Sequence, residues 1–297
     1  MKKILILIGF SIVFFACKSN ELTTQIAPEN EFFALKKDAL FFFRSNQLDW
    51  GAYEEPVDTA TRAKYVAQLD TSFWYIIDYG FEGFYTKEEY YNSFHFLHLN
   101  DDNELDLIYE GWGGGEGTVV KAFINEGEQM KFLFDNYQQL YDLQFDEKRC
   151  LKSFKVLDFG CCVPFDLLMS QYTIKNNTIE LEWGLSALSG LEEPKHFFRK
   201  AKKVKVAKPK VDMRYEPWIA PEDEPGYSGP LEVVGNKTAL YNKGDKGVAY
   251  AETKDTIGNV WWLVEMEVPD TTDFNIMYKY SQKTYPVLGW INKNDLK

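Results

Sequence analysis

The hydrophobic pattern changes period once along the chain. Upstream, Glu31 to Arg44 sets Phe32, Leu35, Ala39, Leu40 and Phe43 at helical spacing, and Asp58 to Leu69 follows Pro56 with Asp58 as an acceptable cap. Two opening helices are predicted there. From Phe94 the period becomes two, as in Phe94-His95-Phe96-Leu97-His98-Leu99, and strand-like runs follow at 105–109, 118–125, 130–134, 151–159, 167–174 and 178–183. Turn residues separate them, among them Gly127, Asn176-Asn177 and the cluster from Gly113 to Gly117. The pattern predicts a mainly β (α+β) fold in which a short helical opening leads into an antiparallel β meander over residues 30–212. Strands do not alternate with long helices, which argues against the parallel sheet that carries a dinucleotide or P-loop site.

Two composition shifts follow. Lys195 to Lys210 holds eight basic residues and no acid. Val204 and Val206 alternate there with Lys203 and Lys205, which reads as a solvated edge strand whose lysines discourage strand addition; the other reading is an electrostatic strip for anionic glycans or lipid headgroups. Residues 213–230 carry Pro217, Pro221, Pro225 and Pro230 with Gly226 and Gly229, and predict a linker. Beyond it, residues 231–297 break into short strand-like pieces at 231–234, 238–241, 247–253, 260–267 and 289–291, the number a small barrel needs.

Across 297 residues, 45% hydrophobic and 26% charged composition describes a globular chain and excludes collagen, coiled coil and disorder. The 33 basic residues against 45 acidic give a net charge of −12, which argues against a nucleic-acid partner.

The first 17 residues modify that picture. Lys2-Lys3 precede the apolar run Ile4 to Ala16, broken only by Gly9 and Ser11, and then comes Cys17. As a helix the run spans roughly 20 Å at about 1.5 Å per residue, short of the roughly 30 Å hydrocarbon core, so it fits a cleavable signal over residues 1–16 better than a membrane span. Phe14-Phe15-Ala16-Cys17 resembles the lipobox of bacterial lipoproteins, with Phe14 where Leu is commonest. The resemblance implies cleavage before Cys17, diacylglycerol on its sulfur, and anchoring that several acyl chains make effectively permanent. Residues 17–29 then form a polar tether. Lys18, where Asp would retain many lipoproteins in the inner membrane, points to the outer membrane of a bacterial envelope.

In the C-terminal segment, Thr238 to Gly247 (TALYNKGDKG), Asn259 to Met266 (NVWWLVEM) and Gly289 to Lys297 (GWINKNDLK) together resemble the bacterial SH3-like (SH3b) domains. That family opens on a Leu-Tyr strand, carries Trp on a central strand, and closes on a Gly-Trp-Val/Ile strand with a short turn before Leu. The resemblance implies a small barrel that binds peptidoglycan peptides or accompanies a cell-wall enzyme, without catalysis of its own. Trp261, Trp262, Trp290 and Tyr285 are the ligand-binding candidates. Because strand neighbours point to opposite faces, one of Trp261 and Trp262 belongs to a core and the other is exposed for contact. Val268 to Val287 departs from the family as a long insertion.

Three other groups bear on chemistry. His98 to Asp106 (HLNDDNELD) resembles the calcium loops of bacterial extracellular repeat proteins, with Asn100, Asp102 and Asp106 on ligand positions. His98 stands where a carboxylate belongs and Asn103 where Gly is usual, so an Asn/Asp hairpin turn is the competing reading. Glu110 and Glu116 bracket a glycine-rich loop and could be placed as a carboxylate pair for glycan hydrolysis; a hairpin loop with an incidental acid at each end is the favoured reading. For Cys150, Cys161 and Cys162, an unbroken strand over 151–159 would hold Cys150 and Cys161 roughly 35 Å apart at about 3.3 Å per residue. That leaves a folded-back strand, a vicinal Cys161-Cys162 bridge or free thiols. No complete catalytic motif appears. The sequence therefore predicts a non-catalytic envelope lipoprotein that binds peptidoglycan or an envelope protein, the alternatives being a glycan-directed hydrolase and a structural assembly subunit.

Overall fold

The computed structural model describes residues 48–69, 86–113, 118–158, 166–188, 190–194, 196–221, 225–228, 232–268 and 285–297. The predicted helix over 31–44, Cys17, Glu116, Cys161, Cys162 and most of the 268–287 insertion lie outside these residues.

The described chain is mainly β, as the period-two pattern predicts. Its helices are short. Helix α1 (Thr59–Val66) starts where Asp58 accepts a hydrogen bond from the Thr61 amide, 2.8 Å. Helix α2 (Lys87–Asn92) starts with a full capping box, in which Thr86 accepts from the Glu89 amide and Glu89 accepts from the Thr86 amide.

Four strands form an antiparallel meander: β1 (Phe94–Leu97), β2 (Asp106–Trp112), β3 (Thr118–Asn125) and β4 (Met130–Asn136). Alternation sorts their side chains onto two cores. Phe94, Phe96, Leu107 and Tyr109 pack with Val66 and Leu69 of the α1 segment and Tyr90 of α2. Leu97, Ile108 and Val120 face the other way, onto Leu140, Leu151, Phe154 and Val156 of a second sheet.

That second sheet has ten strands. It begins as another meander, β5 (Gln139–Phe145), β6 (Leu151–Asp158), β7 (Asp166–Lys175) and β8 (Thr178–Leu188), and then includes β9 (His196–Lys205) and β10 (Val211–Arg214). After the small hairpin of β11 (Pro225–Ser228) and β12 (Glu232–Val234) come β13 (Lys237–Tyr241), β14 (Lys246–Lys254), β15 (Val260–Met266) and β16 (Val287–Asn292). The hydrogen-bonded order is β5-β6-β7-β8-β16-β15-β14-β9, with β10 beside β13 and touching β16.

Two features depart from the sequence expectation. The C-terminal strands form no closed barrel among the described residues, because both flanks of β14–β15–β16 are occupied from elsewhere in the chain. Strand β9 adds to β14 on one side, and β8 pairs in parallel with β16 on the other, Val287 opposite Ser186. Strand pairing also crosses the Pro/Gly segment 213–230, since β9 precedes it, β10 runs into its first two residues, and their partners β14 and β13 follow it. Residues 215–221 fold back onto buried Asn236, whose amide donates to the carbonyls of Glu216 and Trp218 while its oxygen accepts from Arg214.

Two glycines are required by close approach. A Cβ on Gly184 of β8 would lie 2.5 Å from the Tyr285 ring, and one on Gly289 of β16 would lie 2.5 Å from Met213. Gly289 therefore belongs to the Gly-Trp pair for packing reasons.

Candidate binding site around Trp262

Strands β14, β15 and β16 carry a core on each face. Trp261, Leu263 and Trp290 point to one, with Leu185 and Ala187 of β8. Val264, Met266 and Ile291 point to the other, with Val204, Val206 and Tyr241. The alternation expected of Trp261 and Trp262 is present: Trp261 is 1% exposed, and Trp262 is half-buried at the rim of the opposite core. Trp290 is 0% exposed. Both core indoles satisfy their N–H groups internally, Trp261 Nε1 on Asp255 (3.1 Å) and Trp290 Nε1 on the Glu192 carbonyl (3.1 Å). Neither offers a ring face to a ligand.

Trp262 has a different setting. Phe198 of β9 meets it edge-on, ring centroids 5.4 Å apart at 78°. Lys202 Nζ lies 3.5 Å from the Phe198 centroid and 4.7 Å from that of Trp262, and Lys293 Nζ lies 5.3 Å from Trp262. The cross-strand partner Glu252 accepts from Trp262 Nε1 at 3.3 Å. Lys293 sits in the 3-10 turn Lys293–Asp295, which ends β16 before Leu296. Two rings, two ammonium groups and one carboxylate thus share a rim, a surface suited to an amphipathic ligand with apolar and anionic parts. Sequence reasoning had Lys202 in the basic strip but missed Phe198, Glu252 and Lys293 as companions, because β9 joins β14 across about fifty intervening residues.

Tyr285 does not join this site. Its ring covers Gly184, and its hydroxyl accepts from Ser170 of β7 at 3.4 Å. The four aromatic candidates therefore occupy three separate places.

The 98–106 loop satisfies itself. Asn100 Oδ1 accepts from the Asp102 amide (3.0 Å), Asp102 Oδ1 accepts from the Glu104 amide (2.9 Å), and His98 Nδ1 lies 2.8 Å from the Glu104 carbonyl. Asn103 takes a positive φ of 65° at the tip. Asp106 is fully buried and spends one oxygen on the Leu99 amide (2.6 Å) and the other on the Asn125 amide (2.9 Å). Burial pushes its pKa up to about 6 against these bonds. The side-chain oxygens of Asn100, Asp102 and Asp106, the calcium candidates, each accept from amides of the chain itself.

Among the described residues, the acids and thiol that do approach one another are Asp101, Asp146 and Cys150, with one ligand atom of each within 4.8 Å of the others. Lys148 pairs with Asp101 (3.3 Å) and Lys152 with Asp146 (3.1 Å). The buried Cys150 is a free thiol that donates to the Asn100 carbonyl, 3.1 Å, and burial raises its pKa. A protonated thiol between lysine-paired acids is a structural knot at the base of the loop.

Glu110 is also committed. One oxygen accepts from Trp50 Nε1 and the other from the Leu140 amide at the start of β5, each 2.8 Å. Trp50 in turn stacks flat on His95, centroids 3.7 Å apart, and His95 Nδ1 lies 3.1 Å from Glu54. Burial raises the Glu110 pKa and lowers that of His95. Glu110, the carboxylate of the alternative hydrolase reading, pins the four-stranded sheet to the large one, and the other acid of that reading, Glu116, lies outside the described residues.

No protein-family model matches this chain, and no curated protein or solved structure matches it.

Proposed function

We propose that this chain is a non-catalytic lipoprotein of the bacterial envelope, held by Cys17 in the outer membrane and presenting Trp262 and its neighbours to peptidoglycan or an envelope protein. The observation that carries the binding role is the contrast among the tryptophans. Trp261 and Trp290 are buried in a core, whereas Trp262 is half-buried at a rim beside Phe198, Lys202 and Lys293. Aromatic and cationic groups on one rim suit the mixed apolar and carboxylate character of cell-wall peptides. The basic leader, the short apolar run and the small residue before Cys17 support the anchor.

Co-sedimentation with purified peptidoglycan tests the binding role. Wild-type chain pelleting with the sacculi, and Trp262→Ala remaining in solution, is the expected result. Equal behaviour of the two proteins, with equal recovery of envelope proteins in pull-downs, would overturn the assignment of Trp262. Intact mass spectrometry of membrane-extracted protein tests the anchor separately: cleavage before Cys17 plus acyl chains is expected, and is lost in Cys17→Ser.

A further inference from the structure

The lysines near the end of β9 form a row that crosses strands. Lys205 stands directly opposite Lys246 of β14. On its other side Lys205 exchanges both backbone hydrogen bonds with Lys297, each 2.9 Å, in register with the neighbouring bridge between Val206 and Leu296. Residues paired in this way project to the same face, with Cα atoms about 5 Å apart. That face is opposite the core: Val204, Val206 and Leu296 turn inward, and Lys205, Lys246 and Lys297 are all exposed. Lys203, two residues along β9, is exposed on the same side.

Like charges placed directly opposite each other destabilise a sheet, and acids are available nearby to relieve them. They are used elsewhere. Asp245 accepts from the Asn242 amide at 2.7 Å, and Asp295 holds Lys208 at 2.6 Å. Glu267 donates its backbone amide to the Lys246 carbonyl, yet no ion pair joins it to the row. Among the described residues, Lys205, Lys246 and Lys297 have no carboxylate partner. Protection of an exposed edge explains lysines on β9. It does not explain Lys246, because β14 is paired on both sides.

We propose that this lysine row is a docking face for a membrane surface of anionic lipid headgroups. Three ammonium groups, two from the paired strands β9 and β14 and one from the C-terminal segment bonded to β9, all exposed on one side, present a planar array to a planar array of phosphates. In a chain of net charge −12 the row is also a local reversal of sign, so it selects which side of the protein faces such a surface. The inference rests on the anchored reading for its proximity: a tether at Cys17 keeps the face close enough for a few weak contacts to orient the protein.

The test is lysine acylation footprinting of the full chain on bilayer discs, either zwitterionic or containing phosphatidylglycerol, read by peptide mass spectrometry. Labelling at Lys205, Lys246 and Lys297 is expected to slow by about threefold or more on the anionic discs. Lys175, exposed at the turn between β7 and β8, serves as the unchanged reference. Salt at about 1 M, where the screening length is about 3 Å, should remove the protection. Replacing Lys205 and Lys246 together by Gln should restore full labelling at Lys297. Equal labelling on both discs, or failure to associate with either, overturns the proposal. So does protection by soluble polygalacturonate without protection by the anionic discs, which would make the face a polymer site. The mass of the Cys17 peptide in the same digest reports the anchor independently, so loss of one reading is distinguishable from loss of the other.

Discussion

Trp50 and Trp262 make the same pair of interactions to opposite ends. Each indole N–H donates to a glutamate and each ring lies against a second ring, His95 in one case and Phe198 in the other. At Trp50 the glutamate receives a second donor, the Leu140 amide from the other sheet, at 2.8 Å, and the ring is stacked flat at 2°. At Trp262 the Glu252 contact is longer, 3.3 Å, the rings meet edge-on, and lysines approach the ring from solvent. A residue pair does not define a role; the number of other elements it ties together does. The first pair is a pin between two sheets, and the second is a surface.

The core tryptophans set the upper limit of the contrast. Trp290→Ala should lower the unfolding free energy by about 3–5 kcal/mol, from lost burial plus the cavity left beside Leu185, Leu263 and Leu288. Urea unfolding measures it. A loss no larger than that of Trp262→Ala would mean that the core and rim assignments of these residues are wrong.

A third carboxylate sharpens the comparison through pH. Glu265 on β15 is 3% exposed and accepts from Tyr250 at 2.6 Å, and burial pushes its pKa up to about 7 from an ordinary value near 4.5. The folded state therefore holds its proton more tightly than the unfolded state. The associated stability is complete below pH 4.5 and is lost as pH rises through about 7, amounting to about 3 kcal/mol. Glu265→Gln should lack this slope. The difference between wild type and variant across pH 4 to 8 isolates it, because Asp106, whose pKa is also raised, and His95, whose pKa is lowered, contribute to both proteins. A pH-independent difference would show that Glu265 is not held neutral.

Next in size is the pin. Glu110→Ala orphans Trp50 Nε1 and the Leu140 amide together and should cost about 2 kcal/mol, whereas Glu252→Ala at the rim should fall within about 0.5 kcal/mol of wild type. Equal costs would erase the distinction between pin and surface.

What the sequence disclosed follows the same division between local and distant partners. Period-two runs located β1, β3, β7, β14 and β15 closely, because alternation is written in adjacent residues. Strand β5 escaped notice: its register shifts at Leu140/Asp142 and again at Gln144/Phe145, and these bulges break the alternation that would mark it. The capping signature Thr86-x-x-Glu89 was present and would have marked α2. The opposite fates of Trp261 and Trp262 were legible from strand geometry alone. Their partners were not, since Phe198 arrives from β9 and Leu185 from β8 through pairings that no local pattern encodes. Glu110 stood out as an acid beside a glycine cluster, but its role depends on a tryptophan 60 residues upstream and an amide 30 residues downstream. In the 98–106 loop the spacing of oxygens was readable, and their direction toward backbone amides was not.

The smallest expected effect on stability is the one that separates binding from folding. Trp262 is half-buried at the rim of its core, so Trp262→Ala removes edge contact with Phe198 and Ile291 and leaves a surface notch that solvent can fill. A cost of about 1 kcal/mol is expected, well below that of a core truncation. Trp262→Phe should restore most of that stability by rebuilding the ring contact, yet it lacks the N–H that donates to Glu252. Measured on sacculi, the two variants divide the possible roles. If the ring platform with its lysines takes the ligand, Phe retains a substantial part of the binding that Ala abolishes. If the indole N–H and Glu252 carry recognition, both variants lose it equally. If both unfold as easily as Trp290→Ala, then Trp262 is core after all, and the comparison with Trp50 becomes one between two pins.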